Sequence, residues 1–163
     1  MTRKDHQGGS DRIAEAVFNM DADVVINVQG DEPFVDVGSL KKLIGVFKDD
    51  PKVEIDLASL MTPLKELGEV ENPNVVKVIA DLNNFAIYFS RAPMPFNRDS
   101  DKNPTYFKHI GVYAFRKLAL IEFSEQEVTP LESVEKIECI RYLEHGKKIK
   151  MVVTHIPNFE IDT

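Results

Sequence analysis

The sequence contains no tryptophan, a single cysteine, and fewer basic than acidic residues. Because Cys139 is the only cysteine, no intrachain disulfide can form. The absence of disulfides is typical of proteins in the reducing cytoplasm, and we expect that location. We interpret Cys139 as a small buried hydrophobic residue rather than a nucleophile. The net charge of −7 disfavours nucleic acid and anionic membranes, because both bind through excess Lys and Arg. No apolar run is long enough to cross a bilayer, so we expect no membrane partner.

The apolar content and the length of 163 residues suit one globular domain, residues 1–163. Apolar periodicity and turn residues predict helices and strands that alternate along the chain. Helices are predicted over 10–20, 39–47, 117–123 and 129–145, and strands over 23–28, 53–60, 110–115 and 148–154, with a hairpin over 75–90. This order predicts an α/β fold, with a mainly parallel sheet, flanking helices and an antiparallel hairpin insertion.

The most informative stretch is residues 24–33, which read VVINVQGDEP. Its β-branched start predicts a buried strand, and the polar residues after it predict a turn at the carboxyl end of that strand. Ligands of open α/β sheets bind there, and a carboxylate such as Asp31 suits Mg²⁺ that carries phosphates. The alternative is an exposed Asp31 without a function.

Several motifs together resemble the 3-deoxy-manno-octulosonate cytidylyltransferases, also called CMP-Kdo synthetases. The matching stretches lie in the family's order and span nearly the whole chain. They are HQGGSDR at 6–12, VQGDEP at 28–33, NPNVVK at 72–77, YFSRAPMPF at 88–96, HIGVY at 109–113 and IDT at 161–163.

The resemblance implies a nucleotide-diphospho-sugar transferase fold and a nucleotidyltransferase activity. The family transfers a cytidylyl group from CTP to Kdo and releases pyrophosphate, and the product CMP-Kdo serves lipopolysaccharide biosynthesis. The resemblance further implies Mg²⁺ as cofactor and a homodimer. A related acidic sugar in place of Kdo remains an alternative.

Site residues follow from the resemblance position by position. Asp31 and Asp162 would bind the metal, and the nucleotide would lie near Gly9, Ser10 and Gln29. The acidic sugar would face four residues, of which Arg91 and His109 would be catalytic together with Asp31. Those four are Arg91, Arg98, His109 and Glu138.

Each residue also has a purely structural interpretation when taken alone. Arg91 is then an ordinary arginine at a strand end, His109 a core histidine and Lys77 a strand lysine that reaches solvent. Glu132 is best explained as part of a capping box with Thr129, and Glu135 and Glu138 as a solvated pair on one helix face.

The family's basic, glycine-containing loop and its C-terminal helix have no counterpart in the 163 residues. We therefore expect a truncated domain with no measurable cytidylyl transfer of its own. A fragment that retains only sugar binding or dimerisation is the alternative from another functional class. Gly8 stands where the family usually has Ser, and Cys139 where it commonly has Gln.

Overall fold

The structure is a computed structural model that describes residues 9–30, 36–99 and 102–155. Six strands of the described residues form one sheet, and helices cover both of its faces. The elements are α1 (Gly9–Val17), β1 (Val24–Val28), α2 (Val37–Lys48), β2 (Leu57–Pro63), α3 (Leu67–Glu71), β3 (Lys77–Ala80), β4 (Ala86–Ser90), β5 (Phe107–Arg116), α4 (Lys117–Ser124), α5 (Pro130–Glu135), α6 (Ile140–Glu144) and β6 (Ile149–Val153).

The long strand β5 organises the sheet, whose order is β4-β3-β5-β2-β6. Strand β2 pairs with one edge of β5 along most of its length. The other edge of β5 pairs first with β3 and then with β1, so those two strands diverge from each other there. This divergence leaves a fork in the sheet near the middle of β5.

The expected α/β class, flanking helices and antiparallel hairpin are confirmed. The expectation of mainly parallel pairing is wrong for the described strands. Only β2 and β6 pair in parallel, whereas the other pairings are antiparallel. The physical reason is β5, which runs between β1 and β2 in the opposite direction and separates strands that point the same way.

Two hydrophobic cores lie on opposite faces of the sheet. On one face, α1, α4 and α6 pack residues such as Ala14, Leu120 and Ile140 against alternate residues of β5, including Tyr113 and Phe115. On the other face, α2 packs against the intervening residues. Cys139 is buried in the first core, as the sequence predicts, and burial raises the pKa of its thiol, which keeps it protonated.

Strand β2 begins later in the chain than the sequence predicts. We expected a strand over 53–60, but β2 begins at Leu57. Val53 has a φ of 56°, and the side chain of Asp50 accepts hydrogen bonds from the N–H groups of Glu54 and Ile55. These bonds satisfy the backbone as a loop, so apolar residues there do not join the sheet.

The helix that we predicted over 129–145 is in fact two short helices. Lys136 takes the left-handed conformation, with a φ of 56°, and ends α5. Helix α6 begins only at Ile140. The expected capping contact is present, since the N–H of Thr129 donates to Glu132 Oε2 at 3.3 Å.

None of the described helices is long and apolar enough to cross a membrane.

Candidate functional site

The fork between β1 and β3 opens into a crevice of about 300 Å³. That volume lies at the lower end of the range for small-ligand pockets. Its lining residues come from the end of β1, the turn before β3, the end of β4, strand β5 and the break between α5 and α6. They are Gln29, Asn74, Val76, Arg91, His109, Gly111, Tyr113, Lys136, Ile137 and Glu138.

Strand β5 supplies three of these residues at alternate positions, His109, Gly111 and Tyr113. Alternate residues of a strand share a face, and this face is the one that carries the first hydrophobic core. Gly111 leaves room for the side chain of Gln29, because a Cβ there would lie only 3.3 Å from Gln29 Oε1. The amide of Gln29 is therefore held against the sheet at the mouth of the fork.

His109 is 7% exposed, and its Nε2 lies 2.9 Å from Ser59 Oγ. The Ser59 hydroxyl donates to the carbonyl oxygen of Val112 at 2.9 Å. The same hydroxyl oxygen must then accept from Nε2–H, which leaves Nδ1 as the acceptor of the ring. Burial lowers the pKa of His109 to about 3, so the imidazole is neutral at physiological pH.

The neutral ring of His109 is packed against two aromatic side chains. Its centroid lies 4.8 Å from that of Phe89 and 5.5 Å from that of Tyr113. A ring so held can accept a hydrogen bond from a ligand hydroxyl, but it is too weakly basic to remove a proton efficiently. The interpretation of His109 as a core histidine is thus correct about its burial, and the ring also borders the crevice.

Glu138 connects the crevice to the start of α1. Its Oε2 accepts a hydrogen bond from the hydroxyl of Ser10 at 2.9 Å, and its Oε1 is buried without a hydrogen-bond partner among the described residues. Burial raises the pKa of the Glu138 carboxyl above its usual range. The expectation that Glu135 and Glu138 are a solvated pair is wrong, because Glu138 is largely buried and Glu135 binds the end of β4.

We expect Glu138→Gln to stabilise the protein at pH 7. Because the pKa of Glu138 is raised in the native state, the wild-type protein loses stability as the pH rises from the pKa of an ordinary glutamate through the native pKa of Glu138. The loss arises because the buried carboxyl group must ionise in that range. Glutamine avoids that cost and still accepts from Ser10.

Urea unfolding of both proteins at pH 7 and at pH 4 measures this difference. The stabilisation should shrink at pH 4, where the wild-type carboxyl is protonated. An equal free energy of unfolding for both proteins at pH 7 would contradict the raised pKa of the buried Glu138 carboxyl.

Arg91 borders the crevice, and its guanidinium bonds three backbone carbonyls. Nε donates to the oxygen of Glu135 at 2.7 Å, and Nη1 donates to that of Pro73 at 2.9 Å. Nη2 lies 3.5 Å from the oxygen of Lys136. Three of its five N–H donors are thus engaged, which leaves donors for a ligand anion.

The remaining predicted residues divide between the crevice and other places. Gly9 and Ser10 start α1, where Ser10 touches Glu138, and Arg98 is an exposed residue outside the lining of the crevice. Asp31 and Asp162 lie outside the described residues. Within 9–30, 36–99 and 102–155 there is no group of His, Cys, Asp or Glu that could bind a metal ion.

Sequence reasoning missed several residues that border the crevice or support it. The alternation of residues 109, 111 and 113 in a predicted strand was a usable signal for Gly111 and Tyr113. No sequence signal indicated Lys136 or the burial of Lys77. Lys77 was expected to reach solvent, but it is fully buried, and its Nζ donates to the carbonyls of Asn72 and Val75.

Comparisons with known proteins show the family to which this chain belongs. Residues 1–149 match the family described as cytidylyltransferase. A 3-deoxy-manno-octulosonate cytidylyltransferase of Christiangramia forsetii is 59% identical over 99% of this chain and 65% of its own length. One of Flavobacterium johnsoniae is 53% identical over the whole chain and 67% of its own length. The chain thus spans about two thirds of the length of these curated relatives.

Solved structures agree with the sequence relatives. The structure of a CMP:2-keto-3-deoxy-manno-octonic acid synthetase complexed with CTP is 33% identical, with a TM-score of 0.89 over 98% of this chain and 66% of that one. A 4-diphosphocytidyl-2C-methyl-D-erythritol synthase of Anaerococcus prevotii, 19% identical with a TM-score of 0.54, shares the fold alone. These matches confirm the nucleotide-diphospho-sugar transferase fold. The chain therefore belongs to the cytidylyltransferase family, among the 3-deoxy-manno-octulosonate cytidylyltransferases.

Proposed function

We propose that this chain carries residues of the site at which a cytidylyl group passes from CTP to Kdo, with CMP-Kdo and pyrophosphate as products for lipopolysaccharide biosynthesis. The observation that carries the proposal is the crevice at the fork. It combines cations (Arg91, Lys136) with a neutral imidazole (His109) and a carboxyl group (Glu138). That combination fits a sugar with one carboxylate and several hydroxyls.

The residues of the crevice suit positioning more than proton abstraction. Phosphoryl transfer needs the attacking hydroxyl in place and the developing charge neutralised. Arg91 would pair with the sugar carboxylate through its remaining donors, because charge-assisted bonds to carboxylates are strong. His109 Nδ1 would accept a hydrogen bond from a sugar hydroxyl and orient it, and Gln29 would lie between sugar and nucleotide.

Mg²⁺ is proposed as the cofactor, with Asp31 and Asp162 as its protein ligands. Gly30 precedes Asp31 at the carboxyl end of β1, which is where an α/β sheet places its ligand. A bound magnesium ion would neutralise phosphate oxygens of CTP. We propose further that the protein works in the cytoplasm as a homodimer, and the buried free Cys139 suits a reducing compartment.

Calorimetric titrations of the purified chain test the proposal. Kdo, N-acetylneuraminic acid and CTP with MgCl₂ are titrated separately. We expect saturable binding of Kdo, and weaker binding of the bulkier N-acetylneuraminic acid. Absence of Kdo binding would contradict the proposal, and tighter binding of N-acetylneuraminic acid would assign the site to a different acidic sugar.

We expect Arg98→Ala to weaken Kdo binding much more than CTP binding. Arg98 is exposed in the stretch after β4 and does not line the crevice, so this expectation comes from the family resemblance, which assigns Arg98 to the acidic sugar. Loss of one charge-assisted contact costs roughly 1.5–3 kcal/mol, or about one to two decades in affinity. Titration of both ligands into both proteins measures the two shifts, with Lys102→Ala as a nearby control. Equal shifts for Kdo and CTP would show that Arg98 does not face the sugar.

A further inference from the structure

The carboxylate of Glu135 joins the last turn of α5 to the end of β4. Its Oε1 accepts from the hydroxyl of Ser90 at 2.6 Å, and its Oε2 accepts from the backbone N–H of Arg91 at 2.9 Å. The contact is reciprocal, because the carbonyl oxygen of Glu135 accepts from Arg91 Nε at 2.7 Å. Two segments that are 44 residues apart in sequence are thus held together by three hydrogen bonds.

A second anchor holds the turn before β3 in the same place. Lys77 is fully buried, and its Nζ donates to the carbonyl oxygens of Asn72 at 2.8 Å and Val75 at 2.7 Å. Arg91 Nη1 donates to the carbonyl of Pro73 within that turn. Arg91 therefore links the turn to α5, and Glu135 fixes the backbone from which the side chain of Arg91 extends.

These ties determine one wall of the crevice. The left-handed residue Lys136 comes directly after Glu135 and turns the chain, so that Ile137 and Glu138 border the crevice. Asn74 and Val76, from the anchored turn, border it as well. A carboxylate at position 135 that lies outside the crevice lining is thus coupled through the backbone to several residues that do line it.

We propose that Glu135 is a positioning residue, which sets the places of Arg91 and Glu138 in the sugar-binding crevice without touching the ligand. The inference rests on the proposed function for the identity of the ligand. Its structural part, the coupling of the end of β4 to the α5–α6 break, is independent of any ligand.

The test compares Glu135→Ala and Glu135→Gln with a control, Glu127→Ala, which removes an exposed carboxylate ahead of α5. Kdo and CTP affinities come from calorimetry, local backbone order from amide hydrogen exchange at Arg91 and at 136–138, and global stability from urea unfolding. Glu135→Ala should lower Kdo affinity about tenfold or more, since it removes two bonds to a charged group. It should also speed exchange at Arg91 and 136–138, and change CTP affinity less.

In Glu135→Gln the side-chain oxygen can still accept from the N–H of Arg91, and the amide NH₂ can donate to the hydroxyl oxygen of Ser90. This variant should therefore recover most of the Kdo affinity. The control should change none of the readouts. A lowered urea midpoint with unchanged Kdo affinity would overturn the proposal, because Glu135 would then be merely structural. If the wild-type chain binds no Kdo, the proposed function fails, and unchanged exchange at Arg91 and 136–138 in Glu135→Ala would separately overturn the positioning role.

Discussion

Replacement of Arg141 by alanine is expected to lower the free energy of unfolding by about 3–5 kcal/mol. Arg141 and Glu132 are 6% and 7% exposed, and their side chains form two hydrogen bonds of 2.7 Å each. Arg141 also donates to the carbonyl of Gln126 at 2.9 Å and lies over the ring of Phe123 at 4.9 Å. The alanine variant leaves the Glu132 carboxylate buried without its counter-charge, which is the main source of the cost.

Urea unfolding at pH 7 measures this loss, and the melting temperature should fall by roughly 6–20 °C. Lys147→Ala is the matched control, because Lys147 pairs with Glu122 at 3.2 Å in a far more exposed setting. That ion pair should contribute no more than about 1 kcal/mol. Similar small losses in both variants would show that the Arg141–Glu132 pair is not a buried support of the α5–α6 region.

The second large effect is expected for the metal. Asp31→Asn should abolish most of the magnesium-dependent part of CTP binding, because an amide oxygen lacks the charge that holds Mg²⁺ beside phosphates. Replacement of a residue that only supports a metal ligand lowers the metal affinity roughly 10–100-fold. For a direct ligand, as proposed for Asp31, we therefore expect the metal affinity to fall about 100-fold or more. The free energy of unfolding should change little, since the sequence predicts Asp31 in a polar turn rather than in the core.

Calorimetric titration of CTP with and without MgCl₂ measures this effect. Asp21→Asn is the control, because Asp21 is an exposed aspartate that precedes β1 in the chain. This variant should bind CTP as the wild-type chain does. Equal magnesium dependence in Asp31→Asn and in the wild-type chain would exclude Asp31 as a metal ligand.

Local patterns in the sequence are sufficient to predict much of this fold. The hairpin of β3 and β4, the strand β1 and the helix α2 follow from alternation, turn residues and apolar periodicity, which are properties of neighbouring residues. The direction of pairing does not follow from them. The position of β5 between β1 and β2 is a property of the whole sheet, and no local pattern specifies it.

The break between α5 and α6 shows the same limit at the site. Residues 129–145 have the caps of one helix, but tertiary bonds from Ser90 and Arg91 to Glu135 favour an interruption at Lys136. The family resemblance singled out Gln29, Arg91, His109 and Glu138, and the fold brings these four residues to one crevice. The burial of Lys77 could not be predicted, because its acceptors are carbonyls of a turn rather than an acidic partner in the sequence.

Chemical-shift mapping can show whether the crevice at the fork binds the acidic sugar. Kdo is titrated into the ¹⁵N-labelled chain, and amide shifts are followed residue by residue. We expect saturable shifts concentrated at Gln29, His109, Gly111 and 136–138, which all border the crevice. Saturable shifts confined to another surface, or no shifts at millimolar Kdo, would contradict it.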